Sequence, residues 1–226
     1  MIEESLKLDA GGLALEARLA YADWIDTPTT AVLLCPPHPF LGGDMDNNVL
    51  TALSAALATQ GFAVLRFNYR GIGGSETARD LAPDQREFWE HSTCPRYEAE
   101  IREDCGHAHA ALRRLLPATP QASVIGYSFG CLPALEIAGR TQLAKLALIS
   151  PPLTKWTIDP AHLELPFPRA LFYAPGDFAC PAERIEALHA AGSGARELHA
   201  FPDADHFFIG HETRLADAVT RFLVDA

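Results

Sequence analysis

The apolar and polar positions of this chain change rhythm repeatedly, and each rhythm predicts an element. Residues 5–10 and 13–20 alternate apolar with polar, with Gly11-Gly12 between them, which predicts a β-hairpin closed by a tight turn. Ala31-Val32-Leu33-Leu34-Cys35 does not alternate and stops at Pro36-Pro37, the pattern of a strand buried on both faces of a parallel sheet. Residues 47–60 carry Ala and Leu at helical spacing and end at Gly61, a helix with a glycine stop. The succession then repeats. Strands are predicted over 62–69, 122–127, 143–150, 170–175 and 197–201. Helices are predicted over 98–116, 129–140, 182–191 and 212–224, the first with a stripe at Ile101, Cys105, Ala108, Leu112 and Leu115/Leu116. Two stretches break the rhythm. Residues 77–97 are polar and irregular around Phe88 and Trp89, and residues 154–169 hold Trp156, Phe167 and three prolines.

Strands alternating with helices predict an α/β three-layer sandwich. Its mostly parallel, twisted sheet has about eight strands, an antiparallel N-terminal hairpin, and helices on both faces. The 226 residues suit one domain, with residues 77–97 as an insertion. About twenty residues separate the strands ending at 150 and starting at 170, too few for a separate cap domain with its own core.

Composition narrows the class without changing the fold. At 48% hydrophobic and 21% charged residues the chain is globular, neither disordered nor fibrous. The net charge of −11 arises from 18 Lys+Arg against 29 Asp+Glu, with no basic cluster, so no nucleic-acid partner is expected. No apolar run approaches the ~20 residues needed to span a bilayer. Met1-Ile2-Glu3-Glu4-Ser5 lacks the basic and apolar regions of a signal peptide. Five cysteines, an odd number with no C-x-x-C pair, read as free thiols buried as small hydrophobes in a reducing compartment. The expectation is a cytoplasmic protein, and a homodimer is compatible with the sequence.

The chemistry centres on Gly126-Tyr127-Ser128-Phe129-Gly130, which follows the strand Val124-Ile125 and opens a helix. G-x-S-x-G there forces a sharp strand-to-helix turn that exposes the serine Oγ, while the flanking glycines let backbone approach closely. A nucleophilic serine needs a base, and the base needs an orienting carboxylate. In such a fold the order is serine, acid, histidine. His206, just after the strand 197–201, is where the last crossover loop delivers an imidazole. His199 falls within a strand, and His211 opens the last helix. Asp177 ends the preceding strand after Gly176 and is the candidate acid, with Asp203 and Asp205 as rivals.

The oxyanion needs backbone donors. One is the Phe129 amide. The other comes from the loop Pro36-Pro37-His38-Pro39-Phe40-Leu41-Gly42-Gly43, where Pro39 has no N–H, leaving Phe40 with Leu41 as fallback. His38 is read as hydrogen-bonding that loop into shape. His91, Cys94, Cys105, His107 and His109 match no zinc spacing, so no metal is expected.

These segments together resemble the α/β-hydrolase superfamily over nearly the whole chain. The carriers are the serine turn, Gly176 to Pro181 as Gly-Asp-x-x-x-Pro, and Asp205-His206-Phe207. His38-Pro39-Phe40-Leu41-Gly42-Gly43 and Asn68-Tyr69-Arg70-Gly71-Ile72-Gly73-Gly74-Ser75 are similar to loops of a small cap-less bacterial group. That group is related to dienelactone hydrolases and short-chain esterases. Dienelactone hydrolases use a cysteine nucleophile, whereas position 128 here is serine. The second motif reads as a tight, Arg-anchored turn under the active-site floor; Glu76 breaks a phosphate-loop pattern.

The resemblance implies a cofactor-free serine hydrolase cleaving a small ester, thioester or amide through an acyl-enzyme. A perhydrolase or haloperoxidase with the same triad, and a non-catalytic binding protein on this scaffold, are the alternatives. The small-molecule pocket is expected to be shallow, with walls from Phe40, Leu41, Phe88, Trp89, Trp156 and Phe167. The acidic surface is expected to disfavour strongly anionic substrates.

Overall fold

Gly11 and Gly12 both take positive φ, +66° and +95°, the pair of left-handed residues a two-residue hairpin turn requires. They join β1 (Ile2–Ala10) to β2 (Leu13–Tyr21). The computed structural model describes residues 1–25, 28, 30–119 and 121–225. The remaining strands are β3 (Ala31–Cys35), β4 (Ala63–Phe67), β5 (Ala122–Tyr127), β6 (Leu146–Ile149), β7 (Arg169–Tyr173) and β8 (Arg196–Ala200). The helices are α1 (Asn48–Thr59), α2 (Ala82–His91), α3 (Pro95–Leu115), α4 (Cys131–Arg140), α5 (Ala182–Ala191) and α6 (Glu212–Val224).

The eight strands form one sheet in the order β1-β2-β4-β3-β5-β6-β7-β8. β1 with β2 and β2 with β4 pair antiparallel, and the rest pair parallel. The unalternating apolar strands are explained by their two faces. Val32, Leu34 and Ile125 pack with residues of α1 and α6, whereas Leu33, Cys35 and Val124 pack with residues of α3 and α4. The fold is thus the three-layer α/β sandwich that the alternation predicts. All five cysteines are free and buried. Among the described residues, no helix is long and apolar enough to cross a membrane.

Residues 77–97 correct the expectation of an irregular insertion. They hold all of α2 and the start of α3, which begins at Pro95 rather than 98. The first amide of α2, at Ala82, donates to Asp80 Oδ1, and Ser92 ends the helix in a left-handed conformation at φ +57°. Only Phe88 and Asp84 of α2 are buried, and Asp84 pairs with Arg79. One buried ring and the ion pair at the buried Asp84 fix this helix without an apolar stripe, which is why periodicity misses it. Between β6 and β7, residues 150–168 contain one short 3-10 turn, Pro160–Leu163.

Candidate active site

β5 ends at Tyr127, a 3-10 turn covers Ser128–Gly130, and α4 follows. Ser128 sits at φ +53°, a left-handed conformation that costs a non-glycine residue roughly 1–2 kcal/mol. The flanking glycines have a steric cause. A Cβ on Gly126 would lie 2.5 Å from the Gly130 carbonyl oxygen, and one on Gly130 would lie 2.1 Å from that of Cys35. Cys131, next in line, donates its thiol to the carbonyls of Gly126 and Ile149 at 3.2 and 3.3 Å.

The structure brings Ser128, His206 and Asp177 together from three separate loops. His206 Nε2 lies 3.0 Å from Ser128 Oγ, and His206 Nδ1 lies 2.8 Å from Asp177 Oδ2 and 2.9 Å from Oδ1. Asp177 Oδ1 also accepts from the amides of Ala179 and Cys180 at 2.7 and 3.0 Å. Burial pushes the Asp177 carboxyl up, but the His206 bond and charge, with the Ala179 amide, hold it below the ordinary carboxylate range. An ionised carboxylate only accepts, so Nδ1 carries the ring proton and Nε2 of the neutral imidazole accepts from the serine hydroxyl. Neither rival acid reaches the ring: Asp205 Oδ1 accepts from the Phe207 amide, and Asp203 lies at the surface 4.0 Å from Arg214. His199 pairs with Glu197 at 2.7 Å, and His211 precedes α6.

Backbone strain gathers around these residues. Ser128, Ser150 at the end of β6, and Phe208 two residues after His206 all have positive φ, at +53°, +46° and +52°. Tyr127 OH donates to the His206 carbonyl at 2.7 Å and fixes the end of the last loop. Tyr69 OH donates to the Pro36 carbonyl at 2.8 Å, and Arg70 binds the fully buried Asp104 through its backbone amide, Nε and Nη2. The turn over residues 68–75 therefore holds the loop after β3 from below. Tyr69 lies in the turn read from the sequence as a support of the active-site floor, whereas Tyr127 and Asp104 are support residues that sequence reasoning missed, because single polar atoms at such distances leave no periodic trace.

Beside Ser128 lies a cleft of about 290 Å³. Leu41 and Trp156 line it, together with Lys155, Phe178 and Phe207. The other four proposed wall residues lie elsewhere. Phe40 stacks on Tyr97 at 4.6 Å, and Phe88 stacks beneath His38 at 4.4 Å. Phe167 is buried in the core beside α4, and Trp89 is exposed on α2 away from the cleft. Phe40, Phe88 and Phe167 pack the frame of the site, since each faces an apolar layer rather than the serine.

The loop after β3 forms a 3-10 turn over Pro39–Leu41 capped by His38, whose Nδ1 accepts from the Phe40 amide at 3.2 Å. The Leu41 amide donates to the His38 carbonyl at 3.0 Å. Both loop amides considered as the second oxyanion donor are thus engaged within the turn in this structure. Burial first, and the nearby Lys155 charge second, push His38 down to about 3, so the ring is a neutral acceptor. A larger hollow of about 900 Å³ lies between α3 and α4, away from Ser128, where Arg102 and Glu136 bridge each other at 2.8 Å. Among the described residues, no group of three or more His, Cys, Asp or Glu side chains is placed to hold a metal ion.

Comparison with known proteins agrees with this architecture. A family model described as alpha/beta hydrolase fold matches residues 38–208. An uncharacterized protein of Rickettsia prowazekii (strain Madrid E) is 26% identical over 220 residues, covering 93% of this chain and 84% of the relative. An alpha-beta serine hydrolase homologue from Coxiella burnetii superposes with a TM-score of 0.80 at 24% identity, covering 98% of this chain and 97% of the other. An a/b serine hydrolase without lid from Xanthomonas campestris superposes at 0.79 and 21% identity, covering 98% and 93%. A dienelactone hydrolase from Anabaena variabilis superposes at 0.76 and 15% identity, covering 98% and 96%. At these identities the likeness to the solved structures is one of fold.

Proposed function

The chain belongs to the alpha/beta hydrolase fold family, and from that premise we propose that it cleaves small carboxylic esters through an acyl-enzyme on Ser128. The observation that carries this reading is the continuous hydrogen-bonded line from Ser128 Oγ through His206 to Asp177, with the serine held in a strained turn at the mouth of a cleft.

Ser128 Oγ attacks the ester carbonyl as His206 Nε2 takes its proton. The developing imidazolium is stabilised by Asp177, which also fixes the tautomer. The proton then passes from Nε2 to the leaving alkoxide, and the ester C–O bond breaks to leave the acyl group on Ser128. Water, deprotonated by the same nitrogen, attacks the acyl-enzyme and releases the acid.

The oxyanion is met by the Phe129 amide, the second in the 3-10 turn, where the first N–H groups of a helix have no acceptor within it. The second donor is the Phe40 amide. Its 3.2 Å bond to a neutral ring nitrogen is at the long end for such bonds, and an oxyanion is the stronger acceptor. The substitutions Ser128→Ala and His206→Ala are each expected to lower kcat on p-nitrophenyl butyrate by at least ~10⁴-fold, with little further loss when combined. A fluorophosphonate is expected to label the wild type and not Ser128→Ala. Activity of Ser128→Ala within about tenfold of wild type would overturn the mechanism.

A further inference from the structure

The cleft beside Ser128 has an unusual charge pattern for so acidic a chain. Among the described residues that line it there is no carboxylate, while Lys155 contributes an exposed ammonium. That ammonium makes no salt bridge among the described residues. It lies 4.9 Å from the centre of the Phe88 ring and 4.7 Å from that of Trp156. The carboxylate whose field it feels is Glu98, which is buried and already accepts from Thr93 Oγ1 at 2.8 Å and the Cys94 amide at 3.1 Å.

The backbone that presents Lys155 is fixed. The amides of Lys155 and Trp156 both donate to the Pro152 carbonyl at 3.2 and 3.1 Å. Thr154 is tied to the Ala179 carbonyl at 3.0 Å, two residues past Asp177. Trp156 in turn packs edge-on against Phe129, the residue after the nucleophile, at 5.6 Å. The two aromatic faces hold the cation in place by their electron-rich surfaces. They leave its N–H donors without conventional acceptors.

We propose that Lys155 is a specificity residue that pairs with an anionic group of the substrate, so that the preferred esters carry a carboxylate near the scissile carbonyl. The inference deepens the hydrolase reading, which supplies the position of that carbonyl. It also revises the expectation that the overall charge of −11 disfavours anions. Surface carboxylates beyond the ~8 Å screening length at physiological salt count for little inside the cleft, where Lys155 is the adjacent charge.

Matched ester pairs test this. On the acyl side, p-nitrophenyl hemiglutarate is compared with p-nitrophenyl valerate, in which a methyl replaces the carboxylate. On the alcohol side, meta-carboxyphenyl butyrate is compared with meta-methylphenyl butyrate. The wild type is expected to favour the anionic member of one pair by about fivefold in kcat/KM at low ionic strength, and less as salt is added. Which pair responds locates the anion. Lys155→Met is expected to bring that ratio to about one, Lys155→Glu to invert it, and Lys155→Arg to retain it. An unchanged ratio in Lys155→Met, or a wild-type preference for the neutral member of both pairs, would overturn the proposal.

Binding to Ser128→Ala by calorimetry reads the same preference without turnover. The anionic ester is expected to bind about fivefold tighter than its neutral partner, and no tighter in Ser128→Ala/Lys155→Met. Equal binding of the two esters to Ser128→Ala counts against Lys155. If no ester is hydrolysed but the binding ratio holds, the proposed reaction fails and the role of Lys155 stands. If the neutral esters are hydrolysed and no ratio responds to Lys155→Met, the reaction stands and the role of Lys155 fails.

Discussion

His38 illustrates how one buried ring ties the site to pH. Its folded pKa is driven from 6.5 to about 3, so the native state stays unprotonated where the unfolded chain takes up a proton. Stability tied to His38 is therefore complete above about pH 6.5 and is lost as pH falls toward 3, at up to about 1.4 kcal/mol per pH unit. The substitution His38→Asn keeps an oxygen that caps the Phe40 amide but does not titrate. It is expected to flatten the fall in urea midpoint between pH 6.5 and 4 relative to wild type. At Ser128 the strain is separable from the chemistry. Ser128→Gly is expected to be more stable than Ser128→Ala by about 1 kcal/mol in denaturant titration, because only glycine occupies that φ without penalty. The sequence makes Ser128, Asp177 and His206 legible as a set because chain order and strand-end loops restrict which side chains can meet. Lys155 has no such signature. It is one lysine in a proline-rich loop, and its meaning comes from Phe88 and Trp156, distant in sequence on one side and adjacent on the other.

At the scale of elements, α2 shows where reading by periodicity stops. The strands were legible because apolar runs between helices have few ways to be buried, and α1, α3, α4 and α6 because their burial follows a stripe. α2 buries Phe88 alone among its apolar residues, and that ring fills the space under His38 and beneath the Lys155 ammonium. Phe88→Ala is expected to cost about 3 kcal/mol in unfolding free energy. It is also expected to loosen the turn over Pro39–Leu41, seen as faster amide exchange at Phe40 and Leu41. A helix that merely decorated the surface would give neither effect. The boundary errors have a similar cause. The predicted strand over 62–69 is cut to Ala63–Phe67: the Asn68 amide still donates to the Glu16 carbonyl at 2.8 Å, but its side chain is taken up by Met45 N and the Glu16 carboxylate as the chain enters the next turn.

Taken whole, the molecule places a small cleft at the carboxyl ends of its parallel strands. At about 290 Å³ the cleft is near the lower end of ligand pockets, so short acyl chains are expected to be preferred. In a p-nitrophenyl ester series, kcat/KM is expected to be higher for acetate or butyrate than for palmitate, without a jump when lipid droplets form.

The strand order has a consequence of another kind, for colloidal behaviour. An open sheet has two unpaired margins, here β1 and β8. β1 carries Glu3, Glu4, Lys7 and Asp9, and β8 is five residues long with Arg196, Glu197 and His199. Charge on one margin and brevity on the other deny a neighbouring molecule a clean template for extending the ladder. The native protein should therefore stay dispersed at high concentration, and turbidity on warming should follow the unfolded fraction rather than total protein.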